Sequence, residues 1–245
     1  MTRVRARQQI RSLNRSVMSA ASVVKVLVRK TRSAGVRLRR AIVSQRLGFS
    51  PSRVYDDSFY AGSACEQGRE HAAAVAAVLH GRYAPASVFD FGCGHGALIE
   101  AFRGLGVEAA GCEGSVHGVR RCNPGGLVFQ ADLKRPVVMN RTFDLVTCIE
   151  VAEHMPARSG TTLVASIARA AAERIVFSAS GPGEEGDDHI NLRPMKYWTD
   201  LFSMHGYREN AEESLALRRA LDEAGAPEWF QHTIMLERAR PPDAR

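Results

Sequence analysis

Two histidines and a glycine-rich turn are the features of this 245-residue sequence with the clearest chemical potential. An imidazole changes charge near neutral pH, so it can take a proton from a hydroxyl while a bond forms at the oxygen. His154 closes the run Ile149-Glu150-Val151-Ala152-Glu153-His154. His189 stands in Gly186-Asp187-Asp188-His189-Ile190-Asn191, where Asp188 can raise its basicity. The turn is Val88-Phe89-Asp90-Phe91-Gly92-Cys93-Gly94-His95-Gly96. Its glycines let a ligand come close to the backbone, and a helix starting just beyond offers unpaired N–H groups. The spacing Asp-x-Gly-x-Gly-x-Gly is not the Gly-x-Gly-x-x-Gly of a pyrophosphate site, and no Gly-Lys-Ser/Thr follows for a triphosphate. Two acids come next. Glu113, in Gly111-Cys112-Glu113-Gly114-Ser115, lies about twenty residues past the glycines, a separation that suits an acceptor for ribose hydroxyls. Asp132 and Leu133 sit in Gln130-Ala131-Asp132-Leu133. Taken singly, each acid reads as an ordinary solvated loop carboxylate and the glycines as a simple turn.

The elements that must position these residues alternate between strand and helix. Short apolar strands are expected at 87–91, 107–112, 127–130 and 143–149, the last a continuous apolar run fit for a parallel sheet buried on both faces. Helices are expected at 66–80, 97–105 and 156–173, with a strand at 174–178. A loop after Gly181 leads to a helix near 194–204, and 229–237 reads as a last strand. This order predicts an α/β fold: a doubly wound, mostly parallel seven-stranded sheet with an antiparallel final strand. Each candidate site residue then falls where a strand hands over to a loop.

Four pieces in this order, each after its own strand, resemble the seven-stranded, Rossmann-like S-adenosylmethionine-dependent methyltransferases, over roughly residues 55–238. The resemblance implies that Asp90, Gly92, Cys93, Gly94 and Gly96 admit the amino-acid part of the cofactor. It implies that Glu113, with Gly114, binds the ribose, that Asp132 and Leu133 meet the adenine, and that Ile149 and Glu150 end beside the transferred methyl. NAD is the alternative ligand, since Glu113 suits it equally; the glycine spacing argues against it. His154 and His189 become the candidate catalytic bases for an acceptor hydroxyl. Glu150, Glu153, His154 and His189 also resemble the Glu-x-x-Glu-His … His set of small-RNA 3′-end methyltransferases. The same run occurs in small-molecule methyltransferases that use no metal, and no metal is assigned. The stretch around Tyr197, Trp198 and Phe202 looks like the acceptor side of enzymes acting on sugars. One of Tyr197 and Trp198 is expected to be core.

Charge divides the chain. Residues 1–55 hold fourteen Arg or Lys and no acid, leaving nineteen of the 33 basic residues against all 26 acidic ones. The head is therefore strongly basic and the body acidic, so the head wants an anionic partner. Arg3, Arg7, Arg11 and Arg15 recur every four residues, and Ile10, Leu13, Val17, Ala20, Val24 and Leu27 form an apolar stripe. A basic amphipathic helix over residues 1–47 can lie on a membrane surface; packing on the body is the alternative. Residues 1–54 are read as this extension and its linker, and 55–245 as the methyltransferase domain. The longest apolar stretch of the head is too short to span a bilayer. Five cysteines with no Cys-x-x-Cys pair fit a reducing cytoplasm, with peripheral membrane contact through the head. An acid-free, Arg- and Ser-rich start also matches an organellar transit peptide. The expected activity is methyl transfer to a small-molecule or glycan hydroxyl. The alternatives are an RNA methyltransferase using the basic arm and a non-catalytic scaffold. Nucleic acid is the weaker partner, because the aromatics are not interleaved with basic residues. The oligomeric state has no signal in the sequence.

Overall fold

The computed structural model describes residues 50–60, 63–121, 126–184, 186 and 188–239. The expected amphipathic helix over residues 1–47 lies outside the described residues. Three helices lead in: α1 (Pro51–Val54), α2 (Asp57–Tyr60) and α3 (Ser63–Tyr83). The sheet then alternates with helices as β1 (Ser87–Phe91), α4 (Ala97–Gly104), β2 (Glu108–Glu113), α5 (Val116–Arg121), β3 (Val128–Gln130), β4 (Phe143–Ile149), α6 (Gly160–Ala170) and β5 (Ala171–Ser178). It closes with α7 (Met195–Ser203), β6 (Tyr207–Glu209), α8 (Ala211–Glu223) and β7 (Ile234–Arg238). Short 3₁₀ turns lie at Ala152–His154, Ala157–Ser159 and Glu228–His232.

The seven strands run in the order β3-β2-β1-β4-β5-β7-β6. β1 pairs in parallel with both β2 and β4, while β7 pairs antiparallel with β5 and β6. The chain therefore reverses its direction of progress between β1 and β4. The loops after those two strands leave on opposite faces and open a crevice at the strands' C-terminal edge, where ligands bind in such sheets.

Alternation along each strand builds two cores. Phe89, Phe91, Val146, Cys148, Ile175 and Phe177 join Trp198, Phe202 and Tyr207 on one face. Val88, Leu145, Val176 and Met235 join Leu79, Phe102, Leu217 and Leu221 on the other. A period of two is the geometric consequence of a pleated strand covered on both sides. On the first face α6 and α7 approach closely: a Cβ at Gly160 would stand 3.1 Å from the Trp198 ring. Trp198 is fully buried and Tyr197 partly so, which places Trp198 in the core.

The chain departs from the sequence reading at several boundaries, among them α6, which starts at Gly160 and not at residue 156, and in what lies after α7. β5 starts at Ala171, not at residue 174. Local propensity favours continuing the Ala-rich helix, but distant partners decide otherwise. The Ala171 carbonyl accepts from Tyr207 Oη at 2.6 Å and from Arg238 Nη2 at 2.9 Å, and Arg238 Nε donates to the Ala172 carbonyl at 2.7 Å. Residues 228–232 form a 3₁₀ turn rather than the start of the last strand, with the Phe230 N–H donating to the Pro227 carbonyl. β6 and α8 complete the sheet beyond what the pattern suggested. α8 has a legible start: the Asn210 side chain accepts from Glu213 N at 3.1 Å, and Glu212 and Glu213 occupy its positive end.

Candidate active site

The turn after β1 is held in a shape that favours glycine. Gly92, Gly94 and Gly96 have φ of 72°, 56° and 75°. The Gly92 and Cys93 N–H groups donate to the Cys112 carbonyl at 2.8 and 3.1 Å, tying the turn to β2. A Cβ at Gly92 would come within 2.6 Å of the Val151 side chain, whereas the same position on Gly94 faces open space. The two glycines thus do different work: one lets the loops after β1 and β4 close together, the other leaves room above the turn.

Glu113, at the end of β2, joins these loops. It is buried, with Oε2 accepting from Gly94 N at 2.9 Å and Oε1 from Ser115 N at 2.7 Å. Burial pushes its carboxyl above the usual range, and the N–H groups of Ser115, Gly94 and Gly114 pull it back. Asp90 lies buried beneath the turn and accepts from Thr147 Oγ1 at 2.7 Å. Burial raises its carboxyl to about 7; the Thr147 hydroxyl opposes this, and the Glu113 charge adds to it.

Beyond β4 the backbone turns sharply, with Glu150 at φ 53°, a left-handed conformation uncommon for a non-glycine residue. Its N–H donates to the Ser178 carbonyl, and its Oε2 accepts from Ser180 Oγ at 3.0 Å, so the end of β5 and the residues just past it hold the strained residue in place. The following 3₁₀ turn carries Glu153 and His154. Glu153 is fully buried; that burial, followed by the charge of Glu150, raises its carboxyl to about 9. The loop after β5 is clamped onto this turn. The N–H groups of Ile190 and Asn191 both donate to the Glu153 carbonyl at 2.9 Å, and Asn191 Nδ2 donates to the Ala152 carbonyl at 3.3 Å. His189 thereby reaches His154, with ring centroids 4.9 Å apart and edge to face. His154 Nδ1 meets the Asp188 carbonyl at 3.2 Å and His189 Nδ1 meets the Glu184 carbonyl at 3.1 Å. Any side chain at residue 186 would overlap the His189 ring.

These parts surround a cleft of about 690 Å³, counted out to its open mouth. It brings together Gly92, Gly94, Glu113, Gly114, Leu133, Glu150 and His154. Asp90, Cys93 and Ile149 line an adjoining cleft that shares Gly92 and Gly94, together with His71, Trp229 and Phe230. Gly96 stands behind both, at the start of α4. Asp132 and His189 line neither; Asp132 Oδ1 accepts from Lys134 N at 3.1 Å and shapes its own loop, while His189 packs against His154. Sequence reasoning did not select Pro51, Tyr55, Phe59 and Tyr60, which roof the first cleft, nor Val151 and Met155 in its wall. The aromatic spacing of Tyr55, Phe59 and Tyr60 was visible, but its target depends on contacts that no local pattern encodes.

The residues present fit S-adenosylmethionine. A buried acid at the end of β2, open space over Gly94 and an apolar wall of Leu133, Val151 and Met155 suit a ribose, an amino-acid tail and an adenine. The model for a methyltransferase domain, Methyltransf_23, matches residues 66–226. The chain belongs to the methyltransferase domain family. It is an S-adenosylmethionine-dependent methyltransferase with a Rossmann-like fold. Among solved structures, CalS10 from Micromonospora echinaspora, an amino pentose methyltransferase, superposes with a TM-score of 0.54 at 16% identity, covering 72% of this chain and 95% of its own. DesVI from Streptomyces venezuelae gives 0.52 at 15% identity, covering 71% and 94%. The sugar N-methyltransferase KedS8 from Streptoalloteichus sp ATCC 53650 gives 0.50 at 16% identity, covering 69% and 87%. A search of the curated proteins finds no match. Among the described residues no helix is long and apolar enough to cross a membrane.

Proposed function

We propose that this methyltransferase acts on a hydroxyl of a small-molecule or glycan acceptor, with His154 and His189 engaging that hydroxyl. The observation that carries the reading is the meeting of the two imidazoles beside the cleft that also holds Glu113. When bound, S-adenosylmethionine supplies an electrophilic methyl on a sulfonium. The residues of the chain do the rest. Glu113 accepts from the ribose hydroxyls, and the glycine turn with Asp90 and Cys93 seats the amino-acid tail. Leu133 and the loop of Asp132 flank the adenine, and Ile149 and Glu150 border the methyl. Tyr55, Phe59 and Tyr60 cover the cleft and exclude water. Holding acceptor and methyl in line is worth on the order of 7–11 kcal/mol in such reactions. Each imidazole sets one nitrogen against a backbone carbonyl, which orients the ring, and His154 lines the cleft itself. CalS10, an amino pentose methyltransferase, and KedS8, a sugar N-methyltransferase, share this fold, which supports a sugar-like acceptor; the choice of a hydroxyl rests on the two histidines.

The test is release of S-adenosylhomocysteine against a panel of hydroxylated sugars and small metabolites, beside calorimetry of S-adenosylmethionine. His189→Ala is expected to lower kcat by about 10²-fold or more and to leave cofactor affinity within about threefold. Wild-type turnover in that variant removes His189 from catalysis. Residues 1–54 we read as a basic extension that places residues 55–245 at an anionic membrane surface.

A further inference from the structure

We infer that the outer end of the second cleft, where His71 meets Trp229, binds an uncharged ring of the methyl acceptor, a pyranose or an aromatic. This rests on the proposed small-molecule acceptor and adds the place where that acceptor lies.

The first observation is where Trp229 stands. The chain has two tryptophans. Trp198 is fully buried, whereas Trp229 is 51% exposed and lines the second cleft. Its neighbour Phe230 packs into the core. The 3₁₀ turn thus holds itself down with one ring and displays the other. His71 of α3 meets the indole edge to face, with ring centroids 6.3 Å apart. An indole presented in this way offers a ligand a large rigid face at low entropic cost. The second observation is continuity. This cleft encloses about 690 Å³ out to its mouth, a size suited to a small ligand. It shares Gly92 and Gly94 with the cleft of Glu113. Its inner end holds the buried Asp90 and the partly buried Cys93, the proposed seat of the cofactor's amino-acid tail, and Ile149, proposed to border the methyl, belongs to the same wall. A ring lying on Trp229 occupies the part that the cofactor leaves open. The third observation is charge. Among the described residues no lysine or arginine lines this cleft, and Val75, Leu98, Ile149 and Phe230 make its wall apolar. A phosphate or carboxylate would enter without a counter-charge, so the occupant is an uncharged ring whose flat C–H or π face packs on the indole.

The wall that carries Trp229 is fixed before any ligand arrives. The Phe230 N–H donates to the Pro227 carbonyl at 3.0 Å, and Arg218 Nη1 donates to the Thr233 carbonyl at 3.0 Å. His232 Nε2 meets Glu184 Oε1 at 2.7 Å, and the Glu184 carbonyl meets His189 Nδ1 at 3.1 Å. The turn that displays Trp229 and the loop that carries His189 therefore share one anchor, which ties the seat of the acceptor ring to the histidines proposed to meet its hydroxyl. On the facing side a Cβ at Gly68 would stand 3.0 Å from His95 Cε1, so this glycine lets α3 close on the turn after β1. Tyr197, Trp198 and Phe202, the stretch expected from the sequence to be the acceptor side, line neither of the two clefts. A preformed wall of this kind costs a ligand little ordering on binding.

The experiment uses full-length protein with S-adenosylhomocysteine and reads tryptophan fluorescence, in which Trp229 is the accessible emitter and Trp198 the buried reference. The titrants are neutral methyl pyranosides, neutral monocyclic phenols and, as the charged control, glucose 1-phosphate. One neutral set should give a saturable change, and which set does so separates a sugar acceptor from an aromatic one. Ligand-detected NMR carries the measurement to variants that lack the indole. Trp229→Ala should weaken binding at least ~10-fold, while Trp229→Phe, which keeps a ring, should stay within about threefold of wild type. Calorimetry of S-adenosylhomocysteine on the same proteins should give a Kd within about threefold of wild type, which shows that the variants are folded and reports the methyl-donor reading separately. No saturable change with either neutral set overturns the proposal. So does binding that Trp229→Ala leaves unchanged, or tighter binding of glucose 1-phosphate than of methyl glucopyranoside.

Discussion

Replacing Glu113 with alanine tests how the cofactor end of the cleft is held together. In the structure both carboxylate oxygens accept hydrogen bonds, from Gly94 N and Ser115 N, and the side chain is only 7% exposed. Each oxygen keeps further lone-pair capacity, and a ribose diol offers two donors. Hydrogen bonds to a charged group are worth about 1.5–3 kcal/mol each, so losing two costs ~3–6 kcal/mol, or ~10²- to 10⁴-fold in Kd. Glu113→Ala also frees the Gly94 and Ser115 N–H groups, and a folding loss of about 1–3 kcal/mol is expected with it. Glu113→Gln separates the two effects. It keeps one acceptor oxygen and the shape, so it should retain most of the stability while still losing at least ~10-fold in affinity. The assay is calorimetry with S-adenosylmethionine and S-adenosylhomocysteine at a temperature where thermal melts show each variant folded. A Kd for Glu113→Ala within about threefold of wild type, in folded protein, refutes the ribose role.

Other outcomes follow from the same geometry. A Cβ at Gly118 would stand 2.8 Å from Glu113 Cγ and 2.9 Å from the Gly94 carbonyl, so Gly118→Ala should strain the site by ~1–3 kcal/mol. Cofactor affinity should fall by about tenfold although residue 118 lines neither of the two clefts described above, and unchanged affinity with unchanged melting would show that α5 yields freely. Asp90 has a folded-state pKa of about 7, raised by burial above its unfolded value. Its stabilising effect relative to Asp90→Asn is therefore complete below about pH 4 and is lost as pH rises through 7, by several kcal/mol at most. Denaturant titrations of both proteins from pH 4 to 8 read this directly, and a pH-independent difference would show that the carboxyl is not shifted. For the basic extension, reversing Arg3, Arg7, Arg11 and Arg15 to glutamate should abolish sedimentation with phosphatidylserine vesicles, since each basic residue near such a surface contributes ~1 kcal/mol. Equal sedimentation of wild type and variant would exclude a membrane role for these arginines.

Much of the fold was legible because parallel strands buried on both faces must be continuously apolar. β1 and β4 were read to the residue for that reason, and the glycine turn between β1 and α4 announces a backbone that needs positive φ. Gly92, Gly94, Glu113 and His154 could be named in advance because each follows a strand whose C-terminal end must open toward a ligand. Local pattern failed where a distant partner outweighs propensity. Ala171 leaves a helix-forming run because Tyr207 and Arg238 claim its carbonyl. Asp132 looked equivalent to Glu113 in sequence, but it turns back on Lys134 while Glu113 is buried beneath the glycine turn.

The one-dimensional order of residues was sufficient for the five parallel strands and the glycine turn, since these depend on short-range periodicity and on backbone freedom, while the cofactor was legible through the resemblance of four motifs in order. The roof of Tyr55, Phe59 and Tyr60, the meeting of His154 with His189, and the burial of Glu153 belong to the tertiary structure alone. They join segments separated by scores of residues. Which of many possible long-range contacts forms is decided by the packing of the whole sheet and its helices, not by any stretch of chain read by itself.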